Sequence, residues 1–322
     1  MPYLRETLAS IEAQTCRGWQ ILAWDNGSVD GTVEELNRWI PERLPGKIVT
    51  DRPASLGDAR AQLVLEAPTE LCAWIDADDI NAPNRLELQL NFLAANPAVA
   101  AVGGQLTVVD AAGRMLPGIR FALEDHAIVT DMLNGPGLAQ PSVLFRRSAV
   151  LAVGNYRHVG AVNVEDYDLW LRLAVRYQLA NVEESVLRYR VHERSTTVMS
   201  ERQGRMRKAV MERFAEHAPA LYGCTAGEAR LLSRRRHPFA LPVLIRVARH
   251  LRRRSGTSAW ATLRSPRFCH GAGRLLAPWD APTRLALRVL QRRPTLLLRD
   301  VGRAASTASR RMLDHVAGRA RS

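Results

Sequence analysis

"LCAWIDADD", residues 71 to 79, places a continuous apolar run directly before three carboxylates in four positions. Such a run is typical of a strand in a sheet covered on both faces. Upstream, Leu4, Leu8 and Ile11 repeat at i, i+4 and i+7 and predict one helical face. "WQILAW" (19–24) then predicts a strand ending at Asp25, "KIVTD" (47–51) a second short strand, and residues 57–66 a helix. Downstream, Pro83 suits a first helical turn, and Leu86, Leu90 and Leu93 form a buried stripe before "ANP" (95–97) ends the helix. "AVAAVGGQLTVVD" (98–110) predicts another strand, bent at its glycines. Strands alternating with helices at this spacing predict an α/β protein, a three-layer αβα sandwich with a mainly parallel sheet. Ligands of such sheets bind beyond the carboxyl ends of the strands, so Asp25 and Asp76 are expected to face one crevice.

The acidic turn itself has two readings. Asp is common enough that a bare D-x-D pattern arises by chance about once in a chain of this length, so the pattern alone decides nothing. One reading is a solvated Asx-type turn capping the helix that follows. The other is a cation site, in which the hard oxygens of Asp76, Asp78 and Asp79 hold magnesium or manganese together with water and substrate phosphate. The position at the end of a buried strand favours the cation.

Composition bounds the rest. At 322 residues and 47% hydrophobic, the chain can form one large α/β domain and a smaller appendage. Cys16, Cys72, Cys224 and Cys269 are scattered, without C-x-x-C or metal-ligand spacing, which fits free thiols in a reducing cytoplasm. The start lacks a signal-peptide pattern, and no uncharged apolar run approaches the roughly 20 residues of a membrane-spanning helix. The net charge of +13 is uneven: residues 1–200 hold 18 Lys and Arg against 25 Asp and Glu, leaving 27 against 7 for residues 201–322. The expected division is therefore an acidic domain at 1–200 and a basic, mostly helical region at 201–322.

Six stretches occur in the order and spacing of family-2 glycosyltransferases: "DNGSVDGT" (25–32), "LGDAR" (56–60), "WIDADDINAPNRLELQLNFLAANP" (74–97), "QPSVLFRRS" (140–148), "VEDYDLWLRL" (164–173) and "LRYRVHERS" (187–195). Over about residues 3–198 the chain resembles an inverting, nucleotide-sugar-dependent enzyme of the GT-A fold. The resemblance implies a nucleotide-diphosphate sugar donor, a Mg2+ or Mn2+ cofactor, and a saccharide or lipid-linked saccharide acceptor. It makes Asp78 the principal metal ligand, puts Asp76 at the metal or the ribose, Asp79 near the donor sugar, Asp25 at the base and Arg60 at the base or phosphates. It assigns the general base to Asp166, with Glu165 and Gln140 toward the acceptor and His192 as a further metal ligand. Plainer readings stand beside these: Asp25 as a turn residue in "DNGS", Arg60 as a surface helix charge, Glu165 and Asp166 as acids favouring a helix start, and His192 as a structural histidine. Trp170, Leu173, Ala174 and Tyr177 make the apolar stripe of that helix, and Arg146 and Arg147 suit the start of another.

One departure from the family pattern bears on activity. Members open with an apolar strand, whereas Met1-Pro2-Tyr3 already corresponds to the helix after it. The first, central strand is thus expected to be absent, exposing two strand edges and removing part of the base pocket. A weakly active or inactive truncated transferase is the alternative this raises. The tail segments "RRRHPFALPVLIRVARHLRRR" (234–254) and "RLALRVLQRRPTLLLRDVGR" (284–303) predict basic amphipathic helices suited to anionic lipid, which would hold the enzyme on the inner face of a bacterial cytoplasmic membrane. A helical cap over the catalytic domain or a disordered end is the plainer reading. Nucleic-acid binding through the tail is the reading from another class, but no zinc-finger or aromatic RNA-binding signature accompanies the arginines, so no specific nucleic acid is expected. A sugar-phosphate nucleotidyltransferase lacks its glycine-rich phosphate loop here.

Overall fold

The structure is a computed structural model, and it describes residues 3–50, 54–118, 120–133, 135–160, 162–193, 195, 206–233, 240–256, 262, 265, 267 and 268. The expected second basic segment (284–303), Met1-Pro2 and Cys269 lie outside the described residues, as do Asp51 of "KIVTD" and Arg194 of "HERS". The chain divides into two compact units: Met1–Glu124 with Pro136–Ala209, and Asp125–Gly135 with Val210–Ser322.

The first unit opens with α1 (Leu4–Glu12), β1 (Ile21–Trp24), α2 (Thr32–Trp39), β2 (Gly46–Val49) and α3 (Leu56–Glu66). It continues with β3 (Leu71–Ala73), β4 (Ile80–Asn81), α4 (Arg85–Ala95) and β5 (Val99–Val109). After the excursion to the second unit come a 3-10 turn at Gln140–Ser142, then β6 (Leu144–Arg146), α6 (Arg147–Ala152), α7 (Glu165–Arg176) and β7 (Gln178–Arg190); α5 (Asp125–Asp131) belongs to the second unit. Helix α2 and the 13-residue β7 are elements that the apolar periodicity did not announce.

Strands β1 and β2 pair in parallel as a two-stranded sheet, and β3-β6-β5-β7-β4 form a second. Since β3 and β5 are each antiparallel to β6, and β5 is parallel to β7, the strands β3, β5 and β7 all run one way, with short β6 and β4 reversed. Among the described residues β1 pairs only with β2 and β3 only with β6, so each keeps one open edge.

Glycines let the two longest strands meet. A Cβ on Gly103 would lie 2.3 Å from the Asn181 side-chain oxygen, and one on Gly104 2.6 Å from Val186, so these positions in β5 have no room for a side chain. The β5/β7 register shifts on both sides of Gln105, which is the bend expected at these glycines.

Two apolar clusters hold the unit together. Leu86 and Leu93 of α4 pack with Val99, Val102, Leu144, Ala180 and Val186, and Leu90 lies partly buried against them. Leu4, Leu8 and Ile11 of α1 pack with Leu36 and Trp39 of α2 over Ile21, Ala23 and Ile48. Glu35 ties the same two helices, accepting hydrogen bonds from Arg5 Nε (2.9 Å) and Nη2 (3.0 Å), Arg38 Nη1 (3.1 Å) and Trp39 Nε1 (3.0 Å).

The second unit holds α5, α8 (Met206–Tyr222) from Val210 onward, α9 (Ala226–Ser233) and α10 (Ala240–Ser255). The α10 residues Val243, Leu244, Val247, Ala248 and Leu251 are buried, as are Ile128 and Val129 of α5, against which α10 packs. Arg254 pairs with Asp125, and Tyr222 donates to the Val129 carbonyl at 2.8 Å. The apolar stripe of this basic helix is therefore spent inside its own unit, while Arg246, Arg249, Arg252 and Arg253 are exposed. No helix among the described residues is long and apolar enough to cross a membrane.

Arg5 and the Trp39 indole hold Glu35 at a pKa of about 2, below its ordinary 4.5. A carboxylate depressed on folding stabilises fully above its unfolded value, and that contribution fades as pH falls through the folded one. Wild-type stability is therefore expected to drop more steeply between pH 4.5 and 2 than that of Glu35→Gln, as read from urea midpoints across that window.

Candidate active site at the carboxyl ends of the strands

The acidic turn leaves β3 at Trp74 and returns as β4 at Ile80. Its three carboxylates do different things. Asp78 is partly exposed, and its Oδ2 lies 2.9 Å from His192 Nε2, just beyond the end of β7. Asp76 is also partly exposed and lies 3.9 Å from Arg60 Nη2. Asp79 is turned inward and 1% exposed: Oδ1 accepts the Arg190 backbone N–H at 2.8 Å, and Oδ2 is buried without a hydrogen bond. Burial, together with the nearby charge of Asp76, pushes the Asp79 carboxyl up to about 8.

The second acidic pair opens α7. Glu165 is buried and takes a hydrogen bond from Arg60 Nη1, the guanidinium that also approaches Asp76. Arg60 thus joins the turn after β3 to the start of α7 and is no surface charge; its side chain is 11% exposed. Asp166 Oδ1 accepts the Tyr167 N–H at 2.6 Å. Burial raises both Glu165 and Asp166 above the usual carboxylate range, with Arg60 opposing the rise.

Behind Arg60 stands an aromatic wall. Its guanidinium carbon lies 5.7 Å from the Trp74 ring centre. Trp74 stacks on Phe145 at 5.8 Å and meets Tyr156 edge-on at 5.4 Å. The Tyr156 hydroxyl accepts Trp74 Nε1 at 2.8 Å and Gln140 Nε2 at 2.9 Å, so the buried Gln140 amide is committed to this wall. Asp25 ends β1 and closes the "DNGS" turn, its Oδ2 accepting the N–H groups of Gly27 (3.0 Å) and Ser28 (2.9 Å). Burial raises Asp25, but the Ser28 hydroxyl and the two amides outweigh it and hold the carboxyl below its usual value.

Arg190 stands out among the residues that motif reading passed over. Its Nε donates to the Asp78 carbonyl (3.0 Å) and its Nη2 to Glu6 (2.8 Å), and its guanidinium lies 4.2 Å from the Tyr3 ring centre. Both its main chain and its side chain therefore hold the acidic turn. Its place two residues before His192 is the one sequence signal that could have found it.

Asp78 and His192 are in contact, and Asp76 stands two residues earlier in the same turn; carboxylate and imidazole groups are ligand types that suit Mn2+ or Mg2+. The fold places these groups beyond the strand ends, where open α/β sheets bind their ligands. Comparison with known proteins bears on the family and the fold. Residues 1–154 match the model of Glycosyl transferase family 2. The chain is 26% identical over 201 residues to the O-antigen biosynthesis glycosyltransferase WbnJ of Escherichia coli, covering 60% of this chain and 76% of that one. In three dimensions it is similar to S. aureus TarS 1-349 in complex with UDP-GlcNAc, with a TM-score of 0.55 at 12% identity, over 91% of this chain and 88% of that one. It is also similar to the mannosyltransferase PcManGT from Pyrobaculum calidifontis in complex with GDP-Man and Mn2+, with a TM-score of 0.53 at 18% identity, over 92% and 84%. The first unit is thus an α/β domain of the GT-A type. Residues 1–154 carry the family-2 glycosyltransferase match.

The aromatic wall can be tested directly. Tyr156→Phe strands the Trp74 N–H and one Gln140 amide in a buried site, which costs about 1–3 kcal/mol. A lower urea midpoint with an unchanged denaturant slope is the expected result.

Proposed function

We propose that the protein transfers a sugar from a nucleotide-diphosphate donor to an acceptor hydroxyl with inversion, in the synthesis of a bacterial cell-surface polysaccharide or glycolipid. The observation that carries this reading is the junction at Arg60, which brings the acidic turn after β3 and the Glu165–Asp166 pair to one guanidinium. A donor site and a base would have to stand this close for in-line displacement. The nucleotide complexes of TarS and PcManGT, and the O-antigen role named for WbnJ, support the substrate class.

Asp78, Asp76 and His192 would hold Mn2+ or Mg2+. Bound there, the ion would supply Lewis-acid stabilisation to the departing diphosphate oxygens. Asp166 removes the acceptor proton as the hydroxyl oxygen bonds to the anomeric carbon and the bond from that carbon to the phosphate oxygen breaks. Its raised pKa makes it the stronger proton acceptor, and its mount on the first turn of α7 fixes its position. Glu165 takes the direct ion pair with Arg60, whose charge also acts on Asp166. Asp25 binds the base of the donor, Asp79 braces the floor beneath the donor sugar, and Gln140 stiffens the acceptor side through Tyr156.

Catalysis is assigned to residues 1–200, and the basic region at 201–322 to docking on an anionic membrane surface from the cytoplasmic side. Because the apolar stripe of α10 is buried within its own unit, docking there rests on exposed arginines, and salt should screen it.

Two experiments test this reading. Asp78→Ala is expected to abolish metal-dependent cleavage of the donor, whereas Asp166→Asn retains donor binding and loses transfer by about 100-fold or more; normal transfer by Asp166→Asn would overturn the base assignment. In sedimentation with vesicles containing phosphatidylglycerol, the full chain should pellet at low salt and be released at high salt. Equal, weak sedimentation of the full chain and of an Arg252→Ala/Arg253→Ala variant at low salt would remove the membrane role.

A further inference from the structure

Arg85, the first residue of α4, is 1% exposed, yet among the described residues it forms no ion pair with a carboxylate. Its three nitrogens meet neutral acceptors instead. Nη2 donates to the Trp74 carbonyl at 2.9 Å, Nη1 to the Asn81 side-chain oxygen, and Nε to Gln89 Oε1 at 3.2 Å. A buried guanidinium that makes no direct ion pair is an expensive feature to keep, and a packed aliphatic side chain in its place would fold more cheaply.

The placement of the acceptors shows what the guanidinium does. Trp74 lies two residues before Asp76, and Asn81 two residues after Asp79. One planar fork therefore grips both ends of the loop that carries all three acids. The third prong, through Gln89, ties that grip to the sheet, because Gln89 Nε2 donates to the carbonyls of Val102 in β5 (3.0 Å) and Ser142 (2.7 Å). From the other side α1 and the turn after it hold the same loop. The Thr7 hydroxyl donates to the Asp79 carbonyl (2.8 Å), Ser10 Oγ accepts the Asn81 N–H (3.0 Å), and Gln14 donates to the Ala82 carbonyl (2.7 Å). The carboxylates of Asp76 and Asp79 are close enough to Arg85 to oppose the loss of its proton that burial favours. Arg85 is thus both a clamp on the loop ends and a fixed positive charge beneath crowded carboxylates.

We infer that Arg85 is a positioning residue for the cation and diphosphate site, whose buried fork sets the spacing of Asp76 and Asp78 before any ligand arrives. This rests on the reading of the acidic turn as a cation site. Groups that orient metal ligands from behind typically change metal affinity by about 10- to 100-fold when removed. Lysine keeps the charge but has no planar fork, so it cannot hold Trp74, Asn81 and Gln89 together.

The test is equilibrium binding of Mn2+ alone, followed by electron paramagnetic resonance, and then of UDP and GDP with Mn2+ by calorimetry, on the full chain well below its unfolding temperature. Wild type should bind Mn2+, and Arg85→Lys and Arg85→Met should each bind it about 10-fold more weakly. Leu93→Ala, a cavity in the same helix, should lower the unfolding temperature and leave Mn2+ affinity unchanged. If Arg85→Lys does not fold, Asn81→Ala removes one acceptor of the fork and should weaken Mn2+ binding in the same direction. Wild-type affinity in the folded Arg85 or Asn81 variants, or an equal loss in Leu93→Ala, overturns the positioning role alone. A wild type that binds neither Mn2+ nor nucleotide overturns the cation site, and the positioning role with it.

Discussion

Three carboxylates within four residues repel one another, and the rest of the first unit is arranged around containing that repulsion. Three arginines from distant parts of the chain do it. Arg60 of α3 approaches Asp76, Arg85 of α4 lies beneath the loop, and Arg190 at the end of β7 grips it from the side. Each acts at a different distance and on different atoms, so the acids are not simply neutralised. Asp76 and Asp78 keep partly exposed carboxylates, while Asp79 surrenders its own to the backbone of β7. Within "DADD", two acids thus stay accessible and one serves the fold.

The sheet makes this possible. Arg190 reaches the turn because the 13-residue β7 pairs with β5 as far as Val109, a pairing that leaves no room for side chains at Gly103 and Gly104. Asp166 and Glu165 reach the same place because α7 immediately precedes β7 and presents its first turn to Arg60. Two acidic groups are brought together by chain direction, as expected for strands that share their carboxyl ends.

Much of this was legible in the chain. The apolar run before "DADD", the stripe Leu86-Leu90-Leu93 and the six stretches from "DNGSVDGT" to "LRYRVHERS" identify the fold and the acids, because local periodicity and motif spacing are properties of the sequence itself. Arg85 and Gln89 lie four apart among the buried residues of α4 with Leu86 and Leu93, and Asn81 stands four residues earlier in β4. Such a polar row inside an apolar face signals a buried network, although periodicity alone reads it as an exposed helix side. The basic amphipathic pattern at 240–255 gave the helix but not its role, since an apolar stripe looks the same whether it meets lipid or α5.

By itself, then, the sequence determined the alternation of strands and helices, the position of the acidic turn at a strand end, the family resemblance and the uneven charge. Only the tertiary structure decided which acid faces which cation. That choice depends on side chains separated by 105 residues, as in Arg60 with Glu165, or by 111, as in Asp79 with Arg190. Such pairs are selected by where strand register and helix packing bring them together, and by the cost of leaving a buried charge unmatched, and neither is written into the local order of residues.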